Sequence, residues 1–261
     1  MVKTQTPQPT DEPVLHRILR EAWEYAQSER PFLAVFDLDS TLYDLTLRVA
    51  AIVDDFRKEP ANIARFPAEC RALETIEIRP TDWGLETPLA RAGIDTTGAF
   101  FLALHGHWAS SFFGSDYLHH DEPLPGAVSF VAELHQLGAE IMYLTGRDVP
   151  RMWKGTAASL KAHGFPMDLP GVELVLKPDH SLDDAQFKAA VIREAEERFE
   201  RIWVFENEPV NLNLLARECP EVGLVFIDST HSGREELAPV LDRVVHFECD
   251  LEELRRARAR E

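Results

Sequence analysis

The chain is poor in cysteine, in positive charge and in long apolar runs. Its three cysteines, Cys70, Cys219 and Cys249, lie far apart and form no Cys-x-x-Cys pair. An odd, scattered set excludes a disulfide scaffold and reads as reduced packing residues in an intracellular setting. No stretch approaches the ~20 apolar residues that a membrane span needs. The opening segment, MVKTQTPQPTDEP, lacks the apolar centre of a signal peptide. These absences predict a cytoplasmic protein without membrane contact, its first ten residues frayed. Lysine and arginine number 27 against 45 aspartates and glutamates, a formal charge of −18. So acidic a chain repels a phosphate backbone unless a local basic patch reverses the field, which disfavours a nucleic-acid partner. Repeats of solenoid period and low-complexity tracts are also missing.

What is present is ordinary globular composition, 45% hydrophobic and 28% charged. A length of 261 residues suits one large domain, or a core with a smaller companion. Phe32-Leu33-Ala34-Val35-Phe36 is a short continuous apolar run, the pattern of a strand buried on both faces of a parallel sheet. Similar runs stand at 139–144, 172–176, 202–205 and 224–227. Helical patterns lie at 126–137, 149–163, 184–199 and 209–217, with another at 14–26 and a short charged one at 251–261. Strands alternating with helices of this length predict an α/β fold with a mostly parallel sheet.

One region breaks the alternation. Between the first and second strands, 44–116 shows no convincing strand. Phe100, Phe101, Leu104, Trp108 and Phe112 form an apolar helical face, and 45–56 and 61–78 also read as helices. So long a connection is expected to be a helical cap, inserted into a core made of 1–43 and 117–261. Trp108 belongs with the core of that cap.

Ligands of open parallel sheets bind beyond the carboxyl ends of the strands. Directly after the first strand stand Asp37-Leu38-Asp39-Ser40-Thr41. Period 2 sets Asp37 and Asp39 on one side, about 7 Å apart in Cα if extended. Two carboxylates so close share a proton or bind a cation. The fourth strand delivers Glu206 to the same edge. An all-oxygen set without nearby histidine or cysteine suits Mg²⁺. The second strand adds Thr145-Gly146-Arg147, and Lys188 comes after the third.

In this order the segments resemble the four motifs of the haloacid dehalogenase superfamily. Asp37-Leu38-Asp39-Ser40-Thr41 is similar to motif I and Leu144-Thr145-Gly146-Arg147 to motif II. Lys188 resembles the motif III lysine, and Glu206-Asn207-Glu208-Pro209-Val210-Asn211 resembles motif IV. Lys177 is the competing motif III position. The likeness covers roughly 30–43 and 117–230. It implies a Rossmann-like parallel sheet flanked by helices, with the inserted cap outside the likeness. It implies Asp37 as nucleophile, Asp39 as acid and then base, and Mg²⁺ held by Asp37, the Asp39 carbonyl and Glu206. Thr145, Gly146 and Lys188 would hold the phosphoryl group, and Thr41 would support the loop or the Asp39 rotamer. An acid two residues after the nucleophile favours a phosphatase over a dehalogenase. The expected substrate is a small phosphate monoester. The rivals are a polynucleotide end phosphatase and a non-catalytic phosphometabolite binder with a decayed metal site. Motif IV usually supplies aspartates where this chain has Glu206 and Asn207. Arg147 is either a further substrate contact or a salt-bridge partner of a nearby acid.

Overall fold

The computed structural model describes residues 12–238, 241–252 and 255. The chain opens with α1 (Val14–Gln27) and β1 (Phe32–Phe36). A short stem strand β2 (Tyr43–Asp44) leads into α2 (Thr46–Lys58), α3 (Pro60–Arg65), α4 (Pro67–Ala72), α5 (Glu86–Arg91) and α6 (Ala99–Phe112). The stem's partner, β3 (Glu122–Pro123), returns the chain to α7 (Ala127–Gln136). Then come β4 (Glu140–Asp148), α8 (Val149–Ala162), β5 (Val172–Lys177) and α9 (Asp184–Glu196). The last elements are β6 (Arg201–Glu206), α10 (Pro209–Glu218), β7 (Gly223–Ile227) and β8 (Asp242–Val244).

Six strands form one parallel sheet in the order β5-β4-β1-β6-β7-β8. Every residue of β1 is buried, as the continuous apolar run requires. Alternation divides the strand between two cores. Phe32, Ala34 and Phe36 pack with α1 and α7 around Phe130, Phe205 and Phe247. Leu33 and Val35 face α9 and α10 on the opposite side. Chain order reverses at the centre of the sheet, because β1 leads on to β4 while its other neighbour, β6, leads on to β7. A ligand crevice belongs at such a reversal, above the carboxyl ends of β1 and β6. The result is a Rossmann-like α/β fold.

Between the stem strands the elements are helical. Tyr43 pairs with Pro123 and Asp44 with Glu122, so both ends of the insertion leave the core side by side. The insertion has its own apolar cluster, including Val53, Phe56, Phe66, Leu89, Phe100 and Leu104. The expected helix over 61–78 is broken. Pro67 starts a new helix after Phe66, whose backbone is non-helical, and the run ends in a single 3₁₀ turn, Leu73–Thr75. The short edge strand β8 carries no period-2 pattern and owes its conformation to the ladder with β7. The expectation of a frayed N-terminus falls outside the described residues, as does most of the expected helix at 251–261.

Two local devices fix the core. Gly126, before α7, has φ +78°, and a Cβ there would lie 2.4 Å from the Phe247 carbonyl carbon, so only glycine fits. Asp148 caps α8 by accepting a hydrogen bond from the Arg151 N–H at 3.0 Å. Asp148→Ala should therefore cost about 0.5–2 kcal/mol in urea denaturation. Burial alone would raise the Asp148 carboxyl, but bonds from the Arg151 side chain and backbone outweigh it and hold the group below its usual range. A depressed carboxylate stabilises above its unfolded value, near pH 4, and that contribution fades as pH falls through the folded value. The gap between parent and variant should narrow between neutral pH and pH 3. A gap that stays constant would overturn the cap assignment.

Candidate active site

The parallel ladder pairs Phe36 with Phe205, and the Asp37 N–H donates to the Phe205 carbonyl at 3.0 Å. Asp37 therefore leaves β1 beside Glu206 at the end of β6. Lys188, on the second turn of α9, reaches between them. Its Nζ donates to Asp37 Oδ1 and to Glu206 Oε2, each at 2.6 Å, and all three side chains are buried. Burial pushes the Asp37 carboxyl up to about 7, with Lys188 opposing and Glu206 reinforcing the rise. Burial would lower Lys188, but the two carboxylates raise it well above its usual value, so it stays an ammonium. Once Asp37 is ionised, one cation against two carboxylates leaves this cluster at −1.

Glu206 is fully engaged. Oε1 accepts the N–H groups of Asn207 and Glu208, and Oε2 accepts from Asn211 as well as Lys188. Four donors use the lone-pair sites of a carboxylate. Asn207 accepts from Thr41 Oγ1 at 3.2 Å and donates to the Thr230 carbonyl at 2.7 Å. Thr41 thus braces the loop after β1 against the loop after β6, rather than contacting Asp39.

Asp39 stands in a second charged cluster. Arg147 grips it with two donors, Nε at 3.1 Å and Nη2 at 2.6 Å, and Arg48 adds Nη2 at 2.5 Å. The same arginines meet Asp121. Arg147 Nη2 donates to it at 2.9 Å, and Arg48 Nε lies 2.8 Å from Oδ1, a close ion contact off the hydrogen-bond line. Burial alone would raise Asp39, but Arg147 and Arg48 outweigh it and hold the carboxyl well below its usual range. Two guanidiniums face two carboxylates here, and burial raises the Asp121 carboxyl while Arg48 and Arg147 oppose the rise. Arg147 is buried in this set, and its Nη1 donates to Thr156. Its guanidinium is an internal partner of Asp39, as the salt-bridge alternative has it, and Arg147 also lines the cavity described below.

Thr145 and Gly146 lie on β4, which runs on through an irregularity before pairing resumes at Asp148. The sequence pattern stops that strand at Leu144, because the polar residues after it carry no apolar signal. Thr145 is buried, and its Oγ1 accepts the Arg147 N–H at 3.3 Å. A Cβ on Gly146 would sit 2.6 Å from Asp184 Oδ2. Lys177 does not line the site. It ties down the loop before α9, donating to the carbonyls of His180 and Leu182 and to Asp184.

Asp37, Asp39, Thr145, Gly146, Lys188 and Glu206 meet on the floor of one cavity of about 380 Å³. Such a volume lies within the range of small-molecule sites. Further walls come from the helical insertion and from the loop after β7, with Ser229, Thr230 and Arg234. With Asp37 ionised, the Asp37–Lys188–Glu206 cluster carries −1, which a phosphoryl dianion would meet with repulsion unless a cation entered. Of the set expected for Mg²⁺, the carboxylates of Asp37 and Glu206 stand side by side and are bridged by Lys188, and Asp39 would contribute its main-chain carbonyl. Among the described residues no group of three or more His, Cys, Asp or Glu is placed to hold a metal. What suits a hard cation is smaller: the second carboxylate oxygen of Asp37 and the main-chain carbonyl of Asp39.

Three contributors escape a reading of the motifs. Arg48 sits on the apolar stripe of α2, four residues before Ile52 and eight before Phe56. A charge on a buried face was the available signal. Asp121 and Arg234 lie in polar loops and gave none.

A family model of haloacid dehalogenase-like hydrolases matches residues 33–216. No curated protein matches in sequence. Among solved structures, a haloacid dehalogenase-like hydrolase from Burkholderia xenovorans LB400 aligns with a TM-score of 0.50 at 17% identity, covering 84% of this chain and 94% of that one. Protein Tyrosine Kinase A of Mycobacterium tuberculosis gives 0.47 at 16%, over 88% and 98%. A predicted phosphatase from Clostridium acetobutylicum gives 0.46 at 14%, over 89% and 100%. The Burkholderia likeness is one of fold, and among the described residues no helix is long and apolar enough to cross a membrane. The family match spans β1 through most of α10 and so includes both carboxylate-bearing strand ends; the chain belongs to the haloacid dehalogenase-like hydrolases.

Proposed function

We propose that the protein hydrolyses a small phosphate monoester through an aspartyl-phosphate on Asp37. The observation that carries this reading is the meeting of Asp37, Asp39, Thr145 and Lys188 at the floor of one cavity. Asp37 attacks phosphorus, forming a carboxylate–phosphorus bond as the ester P–O bond breaks. The leaving oxygen takes a proton from Asp39, which must first gain it from solvent because Arg147 and Arg48 hold the resting carboxylate ionised. In the second step Asp39 accepts a proton from water, which attacks phosphorus and frees Asp37. Lys188 and the Thr145 hydroxyl hold the equatorial oxygens as charge moves onto them. Mg²⁺, held by Asp37 and the Asp39 carbonyl, would supply charge neutralisation between carboxylate and phosphate. Glu206 then acts by holding Lys188 rather than by ligation.

One observation favours a phosphate-binding protein without turnover. Asp39 is held in its ionised form by two arginines, the state suited to a base but not to an acid. Turnover separates the two readings. Para-nitrophenyl phosphate should be hydrolysed, and EDTA should stop the reaction until Mg²⁺ is restored. Binding of phosphate without hydrolysis of any monoester would overturn the enzymatic reading.

A further inference from the structure

The cavity floor is charged, but the wall above it is aromatic. Trp108, Phe112 and Phe113 converge there from α6 and the residue after it. Trp108 and Phe112 lie 4.9 Å apart at 32°, and Phe113 meets Phe112 at 5.1 Å edge-on. Trp83, from the loop before α5, lines the same cavity and is 51% exposed. Val49 and Ile78 add to the apolar side, and Arg79 and Asp82 stand near Trp83 in the same lining. This wall is close to the chemistry. Arg48 holds Asp39 with one edge of its guanidinium, and the Phe112 ring centroid is 4.3 Å from its central carbon. One side chain therefore separates the ring wall from Asp39. The indole N–H of Trp108 is buried and has no hydrogen-bond partner, although most buried indoles find one.

These surfaces would be an odd choice for a sugar or glycerol phosphate. Flat π faces offer a hydroxylated chain few hydrogen bonds, whereas they stack well on a planar apolar ring. A cavity of about 380 Å³ has room for one or two fused rings beside a phosphoryl group, but not for a polymer.

Resting on the phosphatase reading for the position of the phosphoryl group, we propose that the substrate is a phosphate monoester bearing a planar aromatic ring, which stacks on Trp83 and the Trp108–Phe112 wall. Arylmethyl phosphates and nucleoside monophosphates share this chemistry.

Steady-state kinetics should compare 2-naphthylmethyl phosphate with isobutyl phosphate, both esters of simple alkoxides, so that leaving-group strength does not decide the result. KM should be at least about tenfold lower for the ring-bearing ester. In Trp83→Ala the ratio of the two KM values should fall by about tenfold, as the exposed loop position leaves the fold intact. AMP against ribose 5-phosphate forms a second pair. A gain from the adenine ring identifies nucleotides as the source, and a gain in the naphthyl pair alone identifies arylmethyl esters. Calorimetry with 2-naphthylmethylphosphonate and isobutylphosphonate gives the same comparison without turnover. Preferential binding of the ring compound with no hydrolysis would sink the enzymatic reading and support the ring site. Hydrolysis of all four esters with equal KM, and equal binding of the two phosphonates, would overturn the ring site and leave the phosphatase standing.

Discussion

Asp37→Asn is expected to reduce phosphomonoester turnover by at least about 10⁴-fold, the scale of losing a covalent nucleophile. An amide oxygen is too weakly nucleophilic to attack phosphorus. The same change should leave stability close to that of the parent. In the parent, two carboxylates share the single ammonium of Lys188 in a buried site. Burial already raises Asp37 to about 7, so its charge is costly to the folded state. With Asn at 37, Lys188 and Glu206 form a matched pair and the amide keeps the side-chain shape. By linkage, a carboxyl raised on folding lowers stability as pH rises from its unfolded value to its folded one, and the variant removes that loss. Urea denaturation at pH 8 should therefore show the variant at least as stable as the parent. Full activity in Asp37→Asn would refute the aspartyl-phosphate mechanism. Lost activity accompanied by a large fall in stability would mean that Asp37 holds the fold instead.

Arg48→Met should have the largest effect on stability, costing about 3–5 kcal/mol. The Arg48 and Asp121 side chains are wholly buried, and with Arg147 and Asp39 they make a set of two cations and two anions. Removing one cation leaves two carboxylates sharing one guanidinium in a low-dielectric interior. For a chain of this size a loss on that scale lowers Tm by roughly 10 °C. Arg48 also ties α2 of the insertion to the loop after β1, so the variant loses a contact between the two parts. Asp121→Asn in the same background restores neutrality and should recover a large part of the loss. The coupling in such a double-mutant cycle should be on the order of 1–3 kcal/mol. Additive single effects would show that the charges do not act as one set.

That set marks where legibility from sequence stopped. The continuous run at 32–36 required a strand buried on both faces, because no half-exposed strand tolerates five apolar residues in a row. The alternation of runs and helical patterns required a parallel sheet, and a parallel sheet brings the residues after each run to one edge. Asp37, Asp39, Thr145 and Glu206 could thus be assigned to one rim from order alone. The lysine of that rim stayed open between Lys188 and Lys177, and the structure places Lys188 there. Asp183 caps α9 by accepting from the Gln186 N–H, which sets Lys188 on the second turn.

Partnership was not written in the same way. Whether Arg147 faced substrate or an acid turned on Asp121, 26 positions earlier. Which groups meet Glu206 turned on Asn211 and Lys188 reaching it from α10 and α9. Arg48 joined Asp39 because the β2–β3 stem closes both ends of the insertion against the core. Order along the chain determined which residues reach the sheet edge, since strand period and connection geometry are local and repetitive. Only the tertiary structure decided which of them neutralise one another and which are left for a ligand. Charge pairing depends on distances of a few ångströms between segments that sequence separates by tens to hundreds of residues.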